Sequence, residues 1–256
     1  FMFWLGDNVY YPLTLKKYKK MYKVQIKYRN IKNYHDFIQS RPSYAIWDDH
    51  DYGRNNSIAD FELKDSALHI HKNFWANPYY GEDDNKGTYS SFSIYDTEFL
   101  LLDCRYHADP NKNTLLGEKQ YDWLIKKIKD SKADFLFILN GIQFLTRDGS
   151  HESYIRNYKS ELQSLMKVIN EQKDKEIVLI TGDRHFTELI ADTLDNGKTI
   201  YEFTCSPLSS PVRPYYSSRE KKNPLLVKNS IVDEHNFGRV SIVGPENKRQ
   251  CIIEVY

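Results

Sequence analysis

Apolar residues in this chain come in short runs that stop abruptly at glycine or at acidic residues. Phe1-Met2-Phe3-Trp4-Leu5 ends at Gly6-Asp7, and Tyr44-Ala45-Ile46-Trp47 ends at Asp48-Asp49-His50-Asp51. Ile177-Val178-Leu179-Ile180-Thr181 ends at Gly182-Asp183-Arg184-His185. Runs of this length, rich in β-branched and aromatic side chains and bounded by turn residues, predict buried strands. Further strands are predicted over Asp134–Leu139, Thr199–Thr204, Arg239–Val243 and Gln250–Tyr256. A hairpin is predicted over Thr88–Tyr95 and Glu98–Asp103, turning at Asp96-Thr97.

Between the strands the period changes. Tyr121, Leu124, Ile125 and Ile128 recur at i, i+3, i+4 and i+7, which predicts a helix opening at Leu116-Gly117-Glu118, with Trp123 in the core beside it. Leu162, Leu165, Met166 and Ile169 predict a second helix. The Lys- and Tyr-rich stretch Thr14–Ser40 reads as helical, with Leu15, Tyr18, Tyr22 and Ile26 turned inward, and a loop and helix run on through Asn77. Pro207 to Pro224 reads as a polar loop. Strand–helix alternation with consecutive strand pairs inserted predicts layered α/β, two sheets flanked by helices. No repeat, low-complexity tract or Gly/Ser linker divides the 256 residues, so residues 1–256 read as a single domain.

Composition narrows the choice. A content of 40% hydrophobic and 14% aromatic residues suffices for a sizeable core. Lys and Arg number 36 against 35 Asp and Glu, so no global field favours nucleic acid or a membrane surface. The cations between Lys16 and Lys32 alternate with tyrosines, a mixture able to bind single strands, but they read better as the solvated face of a helix. Cys104, Cys205 and Cys251 are widely spaced without a CxxC pair, which excludes a zinc ribbon and a disulfide-stapled miniprotein. Cys205, with no base beside it, reads as a small buried residue. No apolar run is long enough to cross a membrane, and a monomer is expected.

Three strands that spill carboxylates and imidazoles from their C-terminal ends point to one shared polar site, since ligands gather beyond those ends in layered α/β proteins. Two-metal phosphoester hydrolysis needs a carboxylate bridging both ions, further O and N ligands, and a water held and deprotonated between them. Asp7, leaving its strand through Gly6, suits the bridge, and Tyr10 suits a phenolate ligand for a trivalent ion such as Fe3+. Asp49 supplies the second ion, while His50 suits a general acid or a stabiliser of the substrate oxygen. His185, on the Tyr10 side, and Asp183, opposite, complete the two spheres. Asn140 and Gln143, beyond the strand ending at Leu139, are both candidates for one further ligand. Asp48 and Asp51 read as groups that orient the ligands. Arg105 could hold a phosphate bidentately, the alternative being an ion pair with Asp103 or another acid. His35, His69, His71, His107, His151 and His235 lack a strand-end context and read as surface or core residues.

GDNVY, WDDHDYG, LLDCRYH, LGEKQYDWL, TGDRHF, FTCSPLSSP and NFGRV, in that order, resemble the PhoD-like alkaline phosphatase/phosphodiesterase family of calcineurin-like metallophosphoesterases. The likeness covers essentially the whole chain; GDxxY alone is weak, whereas the ordered set with WDDHD and GDRH is specific. It implies a four-layer αββα sandwich and an Fe3+ centre paired with Ca2+ or another divalent cation. It further implies hydrolysis of small phosphoesters, a metal-bridging hydroxide attacking phosphorus while His50 assists the leaving oxygen. By the same resemblance Asp7 matches the bridging Asp, Tyr10 the iron-binding Tyr and Asp49 a position held by Asn in the wider superfamily. His50 matches the catalytic His, and Asp183 with His185 the closing ligand motif. A periplasmic, extracellular or membrane-anchored location is implied as well. The family places a further ligand segment ahead of the strand at Phe1, so the chain is expected to be N-terminally incomplete. A catalytically inactive binding module with the same fold is the competing expectation.

Overall fold

Side-chain alternation along the strands explains how the layers stack. The computed structural model describes residues 1–12, 17–146 and 151–256. Six strands form one mixed sheet: β3 (Ser90–Ile94), β4 (Thr97–Leu101), β5 (Phe135–Asn140), β6 (Glu176–Thr181), β7 (Glu188–Thr193) and β8 (Thr199–Thr204), in the order β3-β4-β5-β6-β8-β7. Along β5, Leu136 and Ile138 face α5 (Gly117–Asp130) and α7 (Lys159–Glu171), where Trp123, Leu124, Ile128, Leu162, Leu165 and Ile169 complete a core. Phe135, Phe137 and Leu139 point the other way.

That second face packs on two strand pairs: β1 (Met2–Leu5) with β2 (Ser43–Ile46), parallel, and β9 (Gly238–Val243) with β10 (Gln250–Val255), antiparallel. Leu5, Ile46, Ile242, Cys251 and Ile253 meet Phe99, Phe137 and Ile180 there. The outer side of β1 and β2, through Trp4 and Ala45, is covered by Trp75 and by Tyr34, Phe37 and Ile38 of α2 (Lys32–Gln39). α1 (Tyr18–Arg29), α3 (Asp49–Tyr52) and α4 (Lys64–Phe74) pack on the same side, while α6 (Tyr154–Asn157) joins the helices over β5. The result is an α/β sandwich of helices, sheet, strand pairs and helices.

Several expectations shift. The Thr14–Ser40 stretch breaks at Asn30-Ile31 into α1 and α2, while Thr14, Leu15 and Lys16 lie outside the described residues. Ile26 is exposed, and Met21 and Gln25 turn inward instead. Gln25 can be buried because both ends of its amide are bonded: Nε2 donates to Tyr11 Oη at 3.0 Å, and Oε1 accepts from Arg29 Nη1 at 2.8 Å. The hairpin turns one residue early, at Tyr95-Asp96, since Ile94 pairs with Thr97 and β5 draws Thr97 into register with Phe135. Strand β7 was hidden by Glu188 and Asp192, which break the apolar pattern. Cys205 is half-buried rather than buried, with Sγ 3.8 Å from Asn236 Oδ1. Among the described residues no helix is long and apolar enough to cross a membrane.

Beyond the carboxyl ends of β5, β6 and β8 lies a buried polar layer. Glu202 accepts hydrogen bonds from the Phe144 and Leu145 amides, each at 2.7 Å, and burial pushes its carboxyl up to about 7. Burial, reinforced by nearby Glu220, pushes Glu188 up to about 8. Unfolded glutamates titrate near 4.3. Between those values the folded chain holds protons that the unfolded chain has released. This stabilisation is therefore fully present below about pH 4 and is lost as pH rises toward 8. Urea unfolding of chelator-treated protein should show stability falling from pH 5 to 8, and Glu188→Gln should make that fall shallower by at least about 1 kcal/mol. Equal slopes for the two proteins would mean that Glu188 titrates alike in both states.

Candidate metal centre

The motif loops meet because β1 and β2 run parallel, with Leu5 opposite Ile46, and β5 and β6 run parallel, with Asn140 opposite Thr181. Packing one pair on the other brings their carboxyl ends to one edge. Two glycines allow the last step. A Cβ on Gly6 (φ +98°) would lie 2.6 Å from Asp48 Cβ, and one on Gly182 would lie 2.5 Å from the Leu5 carbonyl oxygen. The backbone then turns left-handed at Asp7 (φ +52°), Asp183 (φ +67°) and His185 (φ +60°). Each such residue costs roughly 1 kcal/mol and persists only where its surroundings hold it.

Ligand atoms of Asp7, Asp49 and His50 all lie within 4.8 Å of one another, as do those of Asp7, Asp48 and Asp183. Asp7 is common to both groups. Tyr10 donates to Asp7 Oδ2 at 2.9 Å, and its ring lies against that of His50, the centroids 4.3 Å apart. The His50 amide donates to Asp7 Oδ1 at 3.3 Å, and its Nε2 stands 3.9 Å from Asp49 Oδ1. Asp49 Oδ2 accepts from the Asn56 amide at 2.5 Å. His185 belongs to neither close group. Its Nδ1 lies 2.6 Å from the Pro211 carbonyl oxygen, which assigns the ring proton to Nδ1 and leaves the Nε2 lone pair available. Burial lowers the basicity of His185, and the charges of Arg213 and His50 lower it further.

The site is electrostatically crowded. Desolvation raises the Asp7 carboxyl well above the ordinary carboxylate range, and Asp48, Asp49, Asp51 and Asp183 each raise it more. Asp183 is pushed up to about 6, chiefly by burial and then by Asp49 against the opposing pull of Arg184. Burial and the Asp7 carboxylate raise the Tyr10 phenol strongly, so it ionises only beside a cation. Asp51 is pushed up to about 7 by burial, yet it accepts from the Asn8 amide at 3.0 Å and the Asp48 amide at 3.1 Å, pinning this loop.

Two enclosed acceptors, Asp48 Oδ2 and Asn140 Oδ1, have no hydrogen-bond partner among the described residues. Gln143, the alternative to Asn140, is engaged at both ends: Oε1 by Arg184 at 2.6 Å and Nε2 by Glu188 at 2.6 Å. Geometry thus separates two candidates that the sequence left equal. Crowded carboxylates, unpartnered oxygen acceptors and an imidazole with a free nitrogen form a donor set that fits metal ions.

Arg105 departs from the expected phosphate clamp. It is buried, with Nε 2.7 Å and Nη2 2.5 Å from Asp48 Oδ1 and Nη1 2.8 Å from Glu152 Oε2. All three nitrogens are engaged. Asp103 is not its partner; that carboxylate accepts from Trp47 Nε1 at 2.7 Å and from the Arg105 and Tyr106 amides at 2.9 Å. A buried carboxylate needs a partner of this kind, and Asp48 takes it. Asp48, expected as an orienting group, lies in a close group of ligand atoms with Asp7 and Asp183, while Arg213 is exposed and its amide donates to the His185 carbonyl at 3.3 Å. The signal for Asp48 was its place directly after the strand run closed by Trp47. Arg213 carried no signal within its loop.

An α/β sandwich gathers carboxylates and an imidazole beyond its strand ends, in groups that could hold metal ions. The family model of PhoD-like phosphatases matches residues 4–248, and the chain belongs to that family. Among solved structures it is similar to one titled "Structure of PhoD", with a TM-score of 0.72 and 17% identity, covering 100% of this chain and 64% of that one. At that identity the likeness shows the shared fold. The chain spans 64% of the length of that solved relative. No curated protein matches the chain.

Arg105→Met should strand the charges of Asp48 and Glu152 and destabilise the chelated protein by about 3–5 kcal/mol. A loss below about 1 kcal/mol in urea unfolding would mean that Asp48 is neutral in the fold.

Proposed function

We propose that this protein is a metal-dependent phosphoester hydrolase, acting through a binuclear centre on phosphomonoesters or phosphodiesters, with residues 1–256 forming one domain. The observation that carries this reading is the position of Asp7, shared by two close groups of ligand atoms. Asp7, Asp48, Asp49, Asp183, Asn140, Tyr10 and His185 would hold the ions. A phenolate and an imidazole suit Fe3+, and the carboxylates with the amide oxygen suit Ca2+ or another divalent cation. When bound, the ions supply Lewis acidity toward phosphoryl oxygens and acidify water.

The remaining chemistry falls to side chains. His50 is partly exposed, its ring tilted against that of Tyr10 and its Nε2 near Asp49, so Nε2 is the group that would serve the departing ester oxygen. Arg105 positions Asp48. Arg213 takes the part of a substrate-facing guanidinium, since it lies exposed on a loop tied to His185 through the Pro211 carbonyl and its own amide.

Metal-loaded protein should hydrolyse p-nitrophenyl phosphate or its bis-ester. Asp7→Ala should remove both bound metal and turnover; full turnover in that variant overturns the reading. His50→Ala should keep its metal while kcat falls by about 10²–10⁴. Metal-free behaviour at every loading would favour a binding module instead.

A further inference from the structure

Within the Gly182–His185 motif the side chains diverge. Asp183 joins the carboxylates of the metal centre, and His185, bonded through Nδ1 to the Pro211 carbonyl, keeps its Nε2 lone pair available. Arg184, between them, turns into the polar layer and is 2% exposed. There its Nη1 donates to Gln143 Oε1 at 2.6 Å, its Nη2 lies 3.6 Å from Glu220 Oε1, and the guanidinium covers the Phe186 ring at 5.3 Å. The Gln143 amide passes the contact on, with Nε2 donating to Glu188 Oε1 at 2.6 Å and to Thr204 Oγ1 at 2.8 Å. Thr204 and Thr181 share a hydrogen bond at 2.8 Å, and Thr181 closes the strand that leads into the motif. Glu202, holding the Phe144 and Leu145 amides, fixes the segment that follows Asn140 and carries Gln143.

This connection spans the two loops whose ligands must agree in position. One carries Asp183 and His185 in left-handed backbone, which reverts when nothing holds it. The other carries Asn140, whose Oδ1 is unpartnered among the described residues. A guanidinium bonded to a buried amide is suited to the task, because its planar donors lose little freedom per bond formed. We propose that Arg184 and Gln143 are positioning residues: their buried bond holds Asp183 and His185 in place against the Asn140 segment, so the donors are assembled before a cation arrives. The inference rests on the metal-centre reading above, and it gives the arginine of this motif a part that neither the ligand set nor the chemistry assigns.

Calorimetric titration of chelator-treated protein with Mn2+ alone tests it. Arg184→Met should weaken Mn2+ binding about 10–100-fold, and Arg184→Lys should recover part of the loss. Gln143→Met should match Arg184→Met, and the double variant should lose no more than either single one, as partners in one contact do. Gln143→Glu keeps an acceptor for Arg184 while losing the donors to Glu188 and Thr204, and should retain at least several-fold more affinity than Gln143→Met. If Arg184→Met does not fold, the Gln143→Met and Gln143→Glu pair decides the question by the same contrast. Wild-type affinity in Gln143→Met and in any folded Arg184→Met, or additive losses in the double variant, overturns the proposal while leaving the metal reading intact. No Mn2+ binding by the wild type overturns both.

Discussion

Like charges crowded into one enclosure are the constraint on which this structure turns. Apolar packing between the sheet and the β1–β2 pair brings four strand ends to one edge, and with them the carboxylates of Asp7, Asp48, Asp49 and Asp183. Asp48, Asp49 and Asp183 each raise the proton affinity of Asp7, above what desolvation has already done, and Asp49 does the same to Asp183. Only protons, fixed cations or bound cations relieve such crowding. The Arg105 guanidinium is directed to the most deeply buried member, Asp48, and the charge of Arg184 eases Asp183. Asp7 is left with raised proton affinity, the condition that a bound cation would relieve.

Local backbone geometry answers to the same demand. Left-handed conformations at Asp7, Asp183 and His185 are unfavourable for residues with side chains, yet Asp7 and Asp183 each bring a carboxylate oxygen to the shared edge. The loops are held from behind: Asp51 accepts the amides of Asn8 and Asp48, Ser206 Oγ accepts the His185 amide at 2.7 Å, and Gln143 receives Arg184. Rigid strand ends with buttressed loops can keep donors close before any ion binds, which lowers the reorganisation that binding requires.

Legibility in the sequence followed the range of the interactions involved. Strands β1, β2, β5 and β6 were readable because burial on both faces makes a contiguous apolar run, and the ligands that leave them sit in adjacent positions. Helices α5 and α7 were readable from a single apolar face. Strand β7 was not, because Glu188 is a polar residue buried against Gln143, which lies in the segment beyond β5. The inward turn of Gln25 escaped notice for a like reason, as its partners Tyr11 and Arg29 show no pattern together. Asn140 and Gln143 were indistinguishable as residue types. Only the pairing of Gln143 with Arg184 and Glu188 sets them apart.

Three arginines near the site show why residue type underdetermines role. Arg105 and Arg184 are both buried, and each bonds its guanidinium to groups that lie far away in the chain. Arg213 is exposed and meets His185 through its backbone. A phosphate ligand must find a guanidinium whose donors are not already committed, because breaking a buried charged pair leaves the partner carboxylate unsolvated. The motif arginine Arg105 therefore serves the anion within the protein, Asp48. On the function proposed above, an anion from solvent would be met by Arg213, a loop arginine with no motif around it, while the motifs assemble the centre.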